Sequence, residues 1–229
     1  MGQLAGGFNE LFGLDQASIH LGLDYGVLNW LMVGVGRSTL NKYYNGFIKA
    51  KILRQSKGKK NMPLSLVAVA DMGIASGKWA NPDRKNYFSS RCYYTYQLLI
   101  GGNYWNRLGV QLMPTMIHRN LVATTTDHND VYSLGIAARV RISNVVALNG
   151  EYYYVFPNQI TSQINGSKRT NTFSAGVEIY TGNHVFQIFI TNSYGSNEKQ
   201  FITENTENWL KKGIHIGFNF MRMFSIANY

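Results

Sequence analysis

The sequence predicts an all-β protein, an antiparallel up-and-down transmembrane β-barrel of about twelve strands, of which about eleven are visible in this chain. Three observations predict it. Apolar and polar residues alternate with period two along nearly all of the 229 residues, and helical periodicity is almost nowhere to be found. The connections between the alternating runs are short and long by turns. Charged residues make up only 15% of the chain and aromatics 14%, led by fifteen Tyr, whereas about 25% charged is usual for a soluble domain.

Taken in order, strands are read near 17–25, 30–38, 45–55, 63–73, 87–100, 107–118, 131–142, 145–155, 172–181, 184–193 and 213–224. At ~9–11 residues, such runs cross a bilayer when tilted. The first sets Ile19, Leu21 and Leu23 against His20 and Asp24. The second carries Leu31, Val33 and Val35 on one parity. The third sets Ile48, Ala50 and Ile52 against Lys49 and Lys51, and the fourth, nearly all apolar, contains Asp71. The fifth opposes Leu98 and Ile100 to Arg91, Thr95 and Gln97; the sixth opposes Val110, Leu112 and Met116 to Gln111. Leu134, Ile136, Ala138, Val140 and Ile142 then alternate with Arg139 and Arg141, and Leu148, Tyr152 and Tyr154 with Asn149 and Glu151. The hairpin at 173–193 places Phe173, Val177, Ile179, Phe186, Ile188 and Ile190 opposite Glu178 and Gln187. The last strand sets Ile214, Ile216, Phe218 and Phe220 against His215 and Asn219.

Alternation alone does not say which face points outward. Strand number does, because about eight strands already enclose an interior that side chains just fill, and eleven or twelve leave a wider lumen. A wide lumen lined with Leu and Val would be a large dry cavity, so the apolar face is assigned to lipid and the charged face to the lumen. Tyr25, Trp30, Tyr43, Tyr44, Tyr87, Phe88, Tyr104, Trp105, Tyr132, Tyr154, Phe156, Tyr180, Tyr194 and Phe224 gather at strand ends, as rings at a membrane interface do. An open sheet edge would strand backbone groups in lipid, so closure is expected. Pro114 lies mid-strand without an N–H to donate, and a β-bulge is predicted there.

Short connections fall at 26–29, 101–106, 143–144 and 181–183, with a middling basic one at 56–62 that contains "KGKK". Longer ones fall at 74–86, 119–130, 156–171 and 194–212, with a shorter one near 39–44. The last strand enters from a long loop, which places the C-terminus on the short-turn, periplasmic side. The first visible strand also enters from the long-loop side, so an ascending strand is expected before it, either upstream of this numbering or as a weak strand within residues 1 to 10. "MGQLAGGFNELFG" has neither the basic start nor the apolar core of a signal peptide. The reading that follows is an intracellular chain or an N-terminus that is not that of the precursor.

The formal charge is +10, with 22 basic and 12 acidic residues. Dispersed basic residues without a basic helix, an RNA-binding aromatic signature or zinc-finger spacing argue against nucleic acid. They point to anionic outer-membrane lipid, including lipopolysaccharide. Cys92 is alone, which excludes an intrachain disulfide and a cysteine metal site. "GVGRST" (34–39) lacks the second glycine, the lysine and the helix of a phosphate loop, and its glycines are read as places of close approach. Among His20, His118, His128, His184 and His215, only His118, beside Arg119 and Asn120, suits a rim hydrolase, with Ser133 or Ser90 as the nucleophile; no nucleophile motif marks either serine. "DHND" (127–130) is read as a solvated loop rather than a cation site.

The inward charges form the candidate site. Lys49, Lys51, Arg91, Arg139 and Arg141 face Asp24, Asp71, Glu151 and Glu178, either as an ion-pair network bracing a plugged barrel or as the lining of a narrow conduit with mild anion preference.

The runs "ELFGLDQASIHLGLDYG" (10–26), "VGVGRS" (33–38), "YTYQLLI" (94–100), "QLMPTMIHRN" (111–120), "EYYYV" (151–155), "TGNHVFQIFITNS" (181–193) and "IGFNF" (216–220) resemble a family of Bacteroidota outer-membrane β-barrel proteins catalogued only as a domain of unknown function. The family hairpin commonly reads acid-Thr-Gly-Gly-His, and here Tyr180 and Asn183 replace the acid and the second glycine. The family's usual N-terminal strand is absent as well. The resemblance implies an outer-membrane location, export with a cleaved signal, and no catalytic residues.

The sequence reading is therefore a single barrel domain over 1–229, not an enzyme, without cofactor or metal. It is a structural or accessory component of the outer membrane with possible protein partners there; a narrow channel for small polar or anionic solutes is the second reading and a rim-active lipid hydrolase the third.

Overall fold

The computed structural model describes residues 2–3, 17–58, 61–79, 82–83, 85–164, 166–211 and 213–225. Eleven long strands form one antiparallel sheet: β2 (His20–Leu28), β3 (Leu31–Ser38), β4 (Tyr43–Leu53), β5 (Ser65–Ala75), β6 (Cys92–Tyr104), β7 (Leu108–Arg119), β8 (Asp130–Arg141), β9 (Val146–Val155), β10 (Thr172–Thr181), β11 (His184–Thr191) and β12 (His215–Arg222). Each pairs with its neighbour in sequence. All eleven runs read from alternation are strands. The widest departure is at β6, which starts at Cys92 because Phe88–Arg91 wind into a 3₁₀ turn. Among the described residues no helix is long and apolar enough to cross a membrane.

A two-residue strand, β1 (Gly2–Gln3), pairs antiparallel with β12 through Gly2↔Ile216 and Gln3↔His215. β2 and β12 both run from the long-loop rim to the short-turn rim, so an antiparallel seam between them needs one ascending strand. β1 has that direction, so the ascending strand expected upstream, and read as absent from this chain, is met instead as the weak strand of the alternative, in these two residues; residues 4–16 lie outside the described ones. Among the described residues nothing pairs with the outer edge of β2.

The register sorts side chains as alternation requires. Leu134 and Ile136 on β8 are 40% and 52% exposed beside buried neighbours, and Phe218 is 61% exposed, although each sits mid-strand. Exposed apolar side chains spread around the wall form a lipid-facing band. On the other parity, aromatic rings lie over glycines of the adjacent strand. Phe189 faces Gly217 in register, and a Cβ there would collide with the ring. Gly34, from the phosphate-loop-like "GVGRST", meets Phe47 in the same way, so its smallness serves close approach.

Pro114 produces no bulge. The β6–β7 register is the same on both sides of it, Gln97↔Thr115 and Ile100↔Leu112, and the ladder lapses between these pairs. On the other side Pro114 pairs with Leu134 without interruption. A ring nitrogen without a proton forgoes its ladder bond toward β6, and the register is kept.

Candidate functional site

The strands alone would leave an open lumen. The connection between β11 and β12 fills its long-loop half. Asn192 pins the start of that connection to the wall: its Oδ1 accepts from Phe173 N at 2.8 Å and its Nδ2 donates to Asn171 O and Glu207 O. The chain then turns inward as one π-helical turn, Lys199–Thr203, and Asn197, just before it, accepts at Oδ1 from Gln200 N at 3.0 Å.

Ile202 is at the centre of this turn, 1% exposed, packed among Met113, Ile117, Val131, Tyr153 and Val155. Phe201 places its ring 5.2 Å from that of Tyr153. Lys199 Nζ donates to Tyr43 Oη at 3.0 Å and pairs with Glu204. Burial would lower the Lys199 pKa, but the Glu204 carboxylate outweighs it and holds the ammonium charged. Ser196 Oγ reaches Ser38 Oγ on β3 at 3.1 Å, while Asn205 Nδ2 donates to Thr172 Oγ1 on β10 at 3.1 Å. One loop thus touches β3, β4, β7, β8, β9 and β10, so it spans the lumen as a plug.

Beneath the plug, toward the short turns, a cavity of about 560 Å³ remains, lined in part by Arg139, Asn149, Glu151, Glu178, Gln187 and Asn219. Arg139 Nε donates to Glu178 Oε2 at 2.8 Å, and Asn149 Nδ2 donates to Glu178 Oε1 at 2.7 Å. Tyr180 Oη donates to the same carboxylate, and its ring lies under the Arg139 guanidinium. Asn219 Nδ2 donates to Gln187 Oε1 at 2.8 Å.

Of the nine inward charges, the structure brings one pair into contact, Arg139 with Glu178. Asp71 accepts from Asn45 Nδ2 at 3.0 Å, and its other oxygen is buried without a protein partner. Arg91 lies at the long-loop rim, donating to Ala75 O and Gly77 O and stacking on Trp79 at 3.9 Å. Lys51 Nζ is 3.4 Å from Asn29 O at the short-turn rim, and Lys49 lies over the Phe47 ring at 5.4 Å. Asp24 and Arg141 are exposed, and Glu151 borders the cavity. These seven make no ion pair among the described residues.

Three aromatics assigned to the interface point inward instead. Tyr43 anchors Lys199, Tyr180 caps Glu178, and Tyr194, half-buried, lies in the plug loop with its ring 6.2 Å from His215. His118 Nδ1 binds Asp130 Oδ1 at 2.6 Å and Nε2 meets Asn120 Oδ1 at 3.0 Å, so both ring nitrogens are engaged without a serine. Ser133 is buried on the lumen parity of β8, on the opposite face of the wall from His118, and Ser90 does not bond to it. In "DHND", Asp127 Oδ1 accepts from Thr161 N at 2.8 Å and Ser162 N at 2.9 Å, tying two loops together. No metal-holding cluster of three or more His, Cys, Asp or Glu occurs among the described residues.

The plug itself was missed by sequence reasoning. Its signal was there: at the long-loop ends of β7, β8 and β9 the lumen parity turns apolar, with Ile117, Val131 and Val155, and the following long loop carries Phe201 and Ile202.

An up-and-down antiparallel sheet with an apolar outer band agrees with the comparison to protein families. Residues 1–224 match the family described as "Membrane bound beta barrel domain (DUF5777)". The chain belongs to this family. Among curated proteins none matches it. Among solved structures it is similar to one described as "NanC porin structure in rhombohedral crystal form", with a TM-score of 0.55 at 10% identity over 83% of this chain and 87% of that one. At this identity the likeness concerns the fold: an up-and-down antiparallel barrel shared with a porin. The DUF5777 chain described here is thus a membrane-bound β-barrel.

Proposed function

We propose that this DUF5777 barrel is a non-enzymatic component of the bacterial outer membrane, closed to through-flow, with a structural or accessory role in the envelope. The observation that carries the reading is Ile202 at 1% exposure in the middle of the lumen, held by side chains from three strands. A loop that merely brushed the rim would leave this residue in water. Packing of that kind, with the Lys199–Tyr43–Glu204 contacts, makes closure the resting state.

The cavity on the short-turn side favours a second reading, a conduit for small polar or anionic solutes that opens when the plug leaves. Its lining of carboxamides, one ion pair and Glu151 suits water and small polar molecules. Liposomes carrying the purified barrel, transferred into isotonic solutions of a small neutral sugar or a small organic anion, separate the two. No swelling in either solute is expected; swelling in both would replace the closed reading with the conduit.

A further inference from the structure

The excess positive charge of this chain sits on the rim made of the fewest residues. The connections on the short-turn side, 29–30, 54–64, 105–107, 142–145 and 182–183, contain no acidic residue, and neither does the chain after β12. The same rim presents Lys51, Arg54, Lys57, Arg107, Arg141 and Arg222, all exposed. None of the six makes an ion pair among the described residues. The opposite rim is mixed: its connections hold Asp83, Asp127, Glu198, Glu204 and Glu207 among their lysines and arginines.

Like charges with no countercharge repel one another, and the rim can relieve that only with anions from outside the chain. Where those anions lie is fixed by neighbouring aromatics. Trp105 is 83% exposed and Trp30 is 52% exposed, each in a turn of this rim, and exposed tryptophans at strand ends mark the headgroup level of a bilayer. The turns are tight, so Arg107, the residue after the Trp105–Asn106 turn, and Arg141, the last residue of β8, cannot stand far from that level.

We propose that the short-turn rim is a binding surface for anionic phospholipid, with Arg54, Lys57, Arg107 and Arg222 engaging the phosphate groups of the adjoining leaflet. The lipid contact that the basic composition signals is thereby placed at the short-turn leaflet. Arg222, whose guanidinium lies 4.7 Å over the Phe224 ring, and Lys51, held at Asn29 O, are positioned before lipid arrives.

The test is native mass spectrometry of the full chain in a zwitterionic detergent, titrated with phosphatidylglycerol, phosphatidylethanolamine, inorganic phosphate or a polyglutamate peptide. Neutralising four rim residues together (Arg54→Gln, Lys57→Gln, Arg107→Gln, Arg222→Gln) is expected to lower phosphatidylglycerol retention at least about tenfold. The same charge change on the other rim (Lys42→Gln, Lys78→Gln, Lys85→Gln, Lys168→Gln) should leave retention within about twofold. A charge-keeping variant (Arg54→Lys, Arg107→Lys, Arg222→Lys) should retain the lipid and shows that loss does not come from misfolding. Equal loss in both neutralised variants, no preference for phosphatidylglycerol over phosphatidylethanolamine, or tighter binding of phosphate or polyglutamate would each overturn the proposal.

Discussion

Arg139 and Glu178 stand on β8 and β10, two strands apart, and their side chains meet across β9 at 2.8 Å. Asn149, on the intervening β9, completes the bridge by donating to the other carboxylate oxygen at 2.7 Å. Three adjacent strands are thus tied by one partly buried carboxylate. Glu178→Ala leaves Arg139 and Asn149 without their acceptor and is expected to cost about 1–3 kcal/mol, measured by urea unfolding in lipid vesicles. Arg139→Ala combined with Glu178→Ala should cost less than the two single losses added together.

The plug should respond to pH through Glu198. This residue precedes the π-helical turn and is enclosed by the barrel wall, though water in the lumen still reaches part of it. Burial first, and then the Asp71 carboxylate, push its pKa up to about 7 from 4.5. The docked loop therefore holds a proton that a released loop gives up. Docking is fully favourable below pH 4.5, weakens as pH rises, and above about pH 7 carries the whole cost of a buried carboxylate, at most roughly 3 kcal/mol. Hydrogen-exchange protection of residues 198–204 should fall between pH 5 and pH 8 in the natural chain and stay level in Glu198→Gln.

Lys199→Ala removes the donor to Tyr43 and the partner of Glu204 inside the lumen. An unpaired carboxylate in a half-buried site destabilises docking by roughly 2–4 kcal/mol. Loss of protection confined to the plug, with unfolding of the strands unchanged, is the expected hydrogen-exchange pattern.

Gly217→Ala drives a methyl group into the Phe189 ring, which must then swing into the cavity it lines. Overpacking of this kind costs about 1–3 kcal/mol. The double change Gly217→Ala with Phe189→Leu should recover part of the loss in the same unfolding measurement.

Acid should loosen the loops joined by Asp127 before it affects the strands. Burial would raise this carboxyl's pKa, but hydrogen bonds from Ser162 and Thr161 outweigh it and hold the group well below the usual carboxylate range. A lowered pKa gives stability that is complete above about pH 4 and lost as pH falls below it. Asp127→Asn is expected to show at neutral pH the protease sensitivity that the natural loops show only in strong acid.

The wall was legible because the membrane imposes a strict rule on it: each strand residue faces either lipid or lumen, and alternation reports which. Leu21, Ile48, Ile136 and Phe218 declare their face without help. The lumen was less legible because parity gives direction but not depth. Alternation puts Arg91 and Arg139 on one parity, yet Arg91 falls in the 3₁₀ turn before β6 and closes a loop at the long-loop rim, while Arg139 meets Glu178 nearer the short turns. Loop placement was illegible for a further reason, since Ile202 is buried by residues from β7, β8 and β9 far away in sequence, and no local period encodes that contact. Pro114 shows the limit of a general rule: a missing N–H forbids one bond and leaves open whether the chain bulges or gives the bond up.

The closed lumen is tested most directly by single-channel recording in a planar bilayer, comparing the natural chain with one in which residues 196–206 are replaced by a short Gly-Ser turn. The natural chain should insert without steady conductance, and the shortened chain should conduct in uniform steps. Steady, uniform conductance of the natural chain at neutral pH, equal to that of the shortened one, would contradict the account.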